Sequence, residues 1–257
     1  MSQFTDQETT PVLRAVVVGY GVVAYALFLA VFTYTIGFLA NVGVPKGIDD
    51  GPVGNTAVAV AVNSALLGLF AVQHSVMARP WFKRRWTRLV PPSIERSTFV
   101  LTASLVLVLL LWQWRPLPTT VWSVENAWAS ALLWTLYGFG WLMVVGSTFA
   151  IDHFDLFGLR QVMARARSRQ YDGVGFRQPL LYRIVRHPIM VGFLIAFWAT
   201  PQMSVGRLLF AALGTGYIVV AVRFEEHDLR AHYGERYESY SERVPRFVPR
   251  LVRTSRG

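Results

Sequence analysis

The 257-residue chain contains no cysteine. Disulfides, thiolate metal sites and a cysteine nucleophile are therefore excluded. Charge is scarce too: 16% of the residues are Asp, Glu, Lys or Arg, where a soluble domain carries about a quarter. No internal repeat of roughly 20 to 50 residues is visible, and no composition shift marks a second folded domain. What the chain has instead is apolar residues, 53% of the total, with a mean hydropathy of +0.38. They come in long blocks rather than at amphipathic spacing, and a bilayer-spanning helix needs roughly 20 of them. The expectation is an all-α fold, a polytopic transmembrane helix bundle forming one membrane-embedded domain over 1–257.

The first block runs from about Ala15 to Ala40 and the second from about Thr56 to Ala78. The third, about Ser97 to Trp114, is the plainest, and its Trp112 and Trp114 stand where an aromatic belt forms. A fourth spans about Trp128 to Ala150. The fifth, about Pro188 to Thr200, is short, and the sixth runs from about Val205 to Val222. Five or six spans result, depending on whether the fifth block crosses fully or is sheltered by protein. The first block follows a polar start with Asp6 and Glu8 and is too long for a signal-peptide core, so no cleaved leader is expected.

The net charge of +10 invites a nucleic-acid reading, but its distribution favours a membrane one. The loops at 41–55, 115–127 and 201–207 carry only Lys46, Arg115 and Arg207; the other 22 of the 25 basic residues lie in the remaining polar segments. Lys and Arg collect in cytoplasmic loops. Both termini are therefore expected in the cytoplasm, with no nucleic-acid partner.

Two places on the basic side hold candidate chemistry. In the first, Arg186 and His187 precede Pro188, which opens an apolar helix. Proline suits the first helical turn, and the free N–H groups there form a site for an anion such as a carboxylate; snorkelling of Arg186 and capping by His187 are the bland alternatives. In the second, Glu225 and Glu226 follow the last span. Two adjacent carboxylates at a membrane boundary face water, a partner or a ligand, or mark a solvated helix start. His153 with Asp155, and His227 with His232, lack metal-site spacing and a third ligand, so no metal is expected. His74 in the second span has no acidic partner in sequence and reads first as a hydrogen bonder facing the bundle. Tyr233, Tyr237 and Tyr240 share a helical face, read as packing, and the helix carrying them is expected to break near Gly234.

RHP, a short apolar helix, a span, the Glu pair and YGERYESYSERVPRFVP together resemble the isoprenylcysteine carboxyl methyltransferase-like membrane superfamily over roughly 150–250. VPKGID at 44–49, LLGLFAVQHSVMARPWFKR at 66–84, VPPSIERSTFVL at 90–101, LWQWRPLP at 111–118, HFDLFGLRQV at 153–162 and GFLIAFWATPQM at 192–203 are similar, nearly end to end, to bacterial methanethiol S-methyltransferases. The resemblance implies an inner-membrane enzyme that makes dimethyl sulfide from methanethiol and S-adenosylmethionine, with hydrogen sulfide as a related acceptor. It implies a bundle over about 1–150 and a cofactor-binding half over about 151–250, capped by a cytoplasmic loop and C-terminal helix. It places cofactor contacts at Gln161, Gly175, Phe176, Tyr182, Arg186, His187, Pro188 and Glu225. The cofactor carboxylate falls near Arg186 and His187, and the adenosine near Gly175 to Tyr182. Candidates to take the thiol proton are His187, Glu226, His74 and His153, besides water. Two positions depart from the superfamily: Met190 replaces an aromatic, and Ala221 stands where an arginine anchors the prenylcysteine carboxylate. Two other readings stay open: methylation of a lipidated cysteine or another carboxylate, and a non-catalytic accessory protein of the nitrite/nitric-oxide-reductase type.

Overall fold

Most of the long helices begin where the sequence supplies a cap. A computed structural model describes residues 10–173, 175 and 177–249. Thr10 caps α1 (Pro11–Ala40), Asn55 caps α2 (Thr56–Ala78) and Asn126 caps α5 (Ala127–Ile151), each side chain accepting from the N–H three residues on. Such caps contribute about 1 kcal/mol each. Prolines open α3 (Pro80–Trp86) and α4 (Pro92–Gln113). Short helices α6 (His153–Leu156) and α7 (Leu159–Ala166) follow α5, then a 3-10 turn at Leu180–Arg183. The chain ends its described part with α8 (Pro188–Trp198), α9 (Val205–Tyr233) and α10 (Glu235–Arg243). Strands β1 (Thr120–Ser123) and β2 (Gln202–Ser204) form one small antiparallel pair, with Trp122 opposite Met203.

Among the described residues, α1, α2, α4, α5 and α9 are long and apolar enough to cross a membrane. The fold is thus the expected all-α polytopic bundle. α8 has 11 residues, about 16 Å of helix against a hydrocarbon core of about 30 Å. It is not a sixth full helical span. Its helix gives way to an extended segment in which Ala199, Thr200, Met203 and Ser204 are all buried. Non-helical backbone at depth needs shelter and internal hydrogen bonds, and here both exist: the Val124 N–H donates to the Pro201 carbonyl, and Arg207 Nη1 donates to Thr200 Oγ1 and the Gln202 carbonyl. α8 packs on α5 with backbones almost touching. A Cβ on Gly192 would sit 2.7 Å from the Gly140 carbonyl oxygen.

The polar segments sort into two ends. At one, Arg207 Nε pairs with Asp49 at 3.2 Å, Lys46 donates to the Trp112 and Trp114 carbonyls, and Asn63 exchanges two hydrogen bonds with the Arg115 backbone. At the other, Arg14 donates to Ser168, Arg96 to the Leu156 carbonyl, and Arg79 pairs with Asp228 at 2.8 Å. The second end carries the basic segments. Between them lies an aromatic-rich core that includes Phe38, Trp141 and Phe210. Trp112 is exposed, as a belt residue would be, but Trp114 is buried against Phe38 and Phe210 rather than facing the interface.

Candidate active site

The Glu pair does not sit at a helix start. α9 runs unbroken from Val205 to Tyr233, so both carboxylates project from its continuous body. Consecutive helical side chains diverge by about 100°, and that angle gives the two different surroundings. Glu226 turns inward and its side chain is 0% exposed, whereas the Glu225 side chain is 46% exposed. His187, at the cap position of α8 with Pro188 in the first turn, lies between them. Its Nε2 is 3.3 Å from Glu226 Oε1, and its Nδ1 is 3.6 Å from Glu225 Oε2. The imidazole makes no cap hydrogen bond to the helix. The N–H groups of Ile189 and Met190 therefore open the helix as intrahelical orphans.

Glu226 gathers cations from three segments. Arg186 donates through Nε and Nη2 to Oε1, Arg246 donates through Nε and Nη2 to Oε2, and Arg230 stands 3.5 Å from Oε2. Arg186 also donates through Nη1 to the Ser241 and Val244 carbonyls. Four of the five N–H bonds of its guanidinium are thereby spoken for within the protein. The backbone follows the same path, since the N–H of Arg186 donates to the Pro245 carbonyl and that of His187 to the Arg246 carbonyl. The tail is thus strapped across the start of α8. Beneath it, Tyr237, Tyr240 and Val244 form a buried cluster joined by Leu229 and Tyr233, so the tyrosine face is packing, and the helix breaks at Gly234 as the spacing suggested.

Tyr182 lies in the 3-10 turn, where its carbonyl accepts from the Tyr240 hydroxyl at 2.6 Å. Burial, then the charges of Glu225 and Tyr240, push the Tyr182 hydroxyl above its ordinary range. Tyr182 thus feels the charge of Glu225, whose carboxylate stands 3.6 Å from His187, and Pro188 is buried. A Cβ on Gly175 would meet nothing within 4 Å, and Phe176 lies outside the described residues. Gln161 belongs to a different group on α7. Its Nε2 donates to Asp155 and to the Tyr171 hydroxyl, which itself donates to Asp155, while its buried Oε1 has no partner among the described residues.

The remaining histidines lie apart. His153 has both nitrogens engaged: Nε2 is 2.7 Å from the Tyr25 hydroxyl and Nδ1 is 2.8 Å from Thr148 Oγ1, with Phe149 stacked on the ring. Burial holds its imidazole below the ordinary value, against the opposing charge of Asp152. His74 is stacked on Phe70 and tilted against Phe99. Among the described residues no group of three or more His, Asp or Glu is arranged for a metal ion. Sequence reasoning missed Arg246 and Tyr171, and weighed Asp155 only as a metal ligand. Arg246 stands in the proline-flanked VPRFVPR segment, and only the docking of that segment beside α9 reveals its partner.

A family model described as NnrU protein matches residues 64–222, from within α2 to within α9. Methanethiol S-methyltransferase 2 of Bradyrhizobium diazoefficiens is 53% identical to this chain over 93% of it and 92% of its own length. The chain belongs to the methanethiol S-methyltransferase family. The family members of Mycobacterium tuberculosis and Crocosphaera subtropica are 53% and 45% identical, covering 92% and 94% of this chain and 97% and 95% of their own. No solved structure matches it. Of the His187–Glu225–Glu226 group, His187 lies inside that match and the two carboxylates lie just beyond its end at 222.

Proposed function

We propose that this protein methylates methanethiol with S-adenosylmethionine, releasing dimethyl sulfide on the cytoplasmic side of the membrane, with hydrogen sulfide as a related acceptor. The names of the relatives supply the acceptor; the observation that carries the site is His187 held between two carboxylates at the start of α8. The orientation follows from the basic end carrying the site, since basic segments face the cytoplasm.

The residues suit the cofactor. Its ends are an amino-acid zwitterion and a nucleoside, and the start of α8 offers orphan N–H groups and a positive dipole end to a carboxylate. Glu225, half-exposed and facing the His187 ring at 3.6 Å, suits an ammonium or a ribose hydroxyl; Tyr182, with Gly175 and Phe176 on the chain before it, is assigned to the nucleoside side. The unpartnered Oε1 of Gln161 is an acceptor awaiting an N–H or O–H donor. Arg186 is reassigned from cofactor contact to positioning residue, because Glu226 and the tail already occupy its guanidinium. When bound, S-adenosylmethionine supplies an electrophilic methyl carbon on a sulfonium sulfur.

The chain's own groups then do three things. α8 and the tail exclude water, which favours a reaction that neutralises a thiolate against a cation. Glu225, Tyr182 and the α8 N–H groups fix orientation. Among the four proton candidates, His153 has both nitrogens committed and Glu226 is saturated by arginines, while His74 lies between aromatic rings. That leaves His187: with Nε2–H donating to Glu226, its Nδ1 takes the proton the thiol gives up, and Glu225 beside it balances the imidazolium. Incubating purified protein with methyl-labelled S-adenosylmethionine and methanethiol is expected to yield labelled dimethyl sulfide. His187→Ala and Glu225→Ala should lose this turnover while accumulating normally in membranes. Cofactor binding without thiol turnover in the unmodified protein, or near-normal rates in both variants, overturns the reading.

A further inference from the structure

An open cavity of about 310 Å³ lies beside α7, at the end of the molecule that carries the basic segments. It comes from the way α7 stops. Ser168 adopts the left-handed conformation at φ 51°, the Arg169 N–H donates to the Ala164 carbonyl, and the Ser168 N–H donates to the Arg165 carbonyl. These are the two bonds of a Schellman stop, and beyond it the chain turns back so that residues 169–173 and α7 wall one space. Tyr171 pins the returning segment, its hydroxyl donating to Asp155 and accepting from Gln161 Nε2. Ser168 Oγ accepts from Arg14 Nη2, which ties the turn to α1. The walls are cationic: Arg160, Arg167 and Arg169 line the cavity with Met163, Tyr171 and Asp172. Arg160 is answered by Asp152 at 2.8 Å. The guanidiniums of Arg167 and Arg169 have no ion-pair partner among the described residues, and Asp172 is the single carboxylate among the described lining residues. The depth of the cavity follows from α1. Arg207 Nη2 donates to the Ala40 carbonyl, so the polar layer of the opposite end begins there. A span takes about 20 residues, and counting back that far from Ala40 reaches Gly21. Val162 of α7 rests on this glycine, where a Cβ would lie 2.8 Å from Val162 Cγ2. α7 therefore sits against α1 at the edge of the hydrocarbon, with the cavity at the level of the lipid headgroups.

We propose that this cavity binds the phosphodiester of an acidic phospholipid from the leaflet at the basic end. Guanidinium forks match phosphate oxygens in geometry and charge, and basic pockets beside membrane helices take lipid headgroups in this way. The volume is that of a small-molecule site. Met163, exposed beside the arginines, offers an apolar contact to the carbons next to the phosphate. A zwitterionic lipid carries the same phosphate but adds an ammonium, which Arg167 and Arg169 repel. The bound headgroup braces the Tyr171–Asp155–Gln161 group that forms the back of the wall.

Full-length protein in an uncharged detergent is titrated with short-chain phosphatidylglycerol, with phosphatidylcholine of the same chains, and with inorganic phosphate. Amide exchange is read over residues 160–173. Phosphatidylglycerol is expected to slow exchange there saturably, and the other two should leave it unchanged. One arginine beside an anionic headgroup is worth about fivefold in affinity, so Arg167→Gln/Arg169→Gln should raise the Kd about 25-fold. The thermal midpoint and methyl transfer of this variant in lipid-free detergent should match those of the unmodified protein. Arg84→Gln/Arg85→Gln removes equal charge from α3 at the same end and should keep the protection. No protection of the unmodified protein by phosphatidylglycerol overturns the proposal. Equal loss in both double variants would reduce the effect to diffuse surface charge and overturn it too. Protection by inorganic phosphate would make this a site for free anions, and protection by S-adenosylmethionine that phosphatidylglycerol reverses would give the cavity to the cofactor; either result removes the lipid site.

Discussion

Glu226 is one carboxylate with each oxygen accepting two hydrogen bonds from a separate arginine. Burying a lone carboxylate is prohibitive, and removing one member of a buried ionic group costs about 3–5 kcal/mol because the others lose their counter-charge. Glu226→Gln should therefore free the tail without unfolding the spans. Amide exchange at Arg186 and His187, whose N–H groups donate to Pro245 and Arg246, is expected to rise at least tenfold, and protease should cut near residue 245; an unchanged exchange rate would refute the strap. Arg230→Ala, at 3.5 Å and half-exposed, should change neither. His153 gives a pH prediction. Its folded imidazole is held below the ordinary value, so the unfolded chain binds the proton first as pH falls. The stability it contributes is whole above about 6.5 and declines below that. The thermal midpoint should accordingly drop more for the unmodified protein than for His153→Gln between about pH 7 and about pH 5; equal drops would mean that other groups dominate. At this scale the sequence made His187 and the Glu pair legible as candidates. It hid their different burial, because neighbouring letters do not reveal which of two faces of a helix meets protein.

Element by element, α8 shows where reading from the sequence stops. Its apolar run was visible and its brevity left five or six spans open; the structure resolves this as a short helix completed by a buried extended segment. Composition cannot announce that outcome, since the shelter comes from the strand at Thr120–Ser123, distant in the chain, and from the Arg207 side chain reaching back from the first turn of α9. The close approach of α5 and α8 was equally silent, although it hangs on two glycines. Gly192→Leu should force those backbones apart, lowering the thermal midpoint by an amount equivalent to about 1–3 kcal/mol. Because α8 carries His187, turnover should fall with it. Gly138→Ala, where a Cβ meets nothing within 4 Å, is the matched control and should leave both unchanged.

For the whole molecule, charge asymmetry anticipated which segments share an end, and the hydrogen bonds and ion pairs sort them the same way. The absence of native cysteine makes the orientation directly measurable. Arg88→Cys should react with a membrane-impermeant maleimide only from the cytoplasmic side, and Gly51→Cys only from the opposite side; labelling of both from one side would reverse or break the topology. The strap over α8 also has a consequence for biosynthesis. Arg246, the partner of Glu226, follows every membrane-crossing helix in the order of translation, so the bundle inserts before the ion group can close. A nascent chain halted after α9 would already be a membrane protein with its helices threaded, yet Arg186 and Glu226 would lack their third partner. Insertion and closure of the ion group are thus separate events in time, and the last one is the docking of a proline-flanked segment.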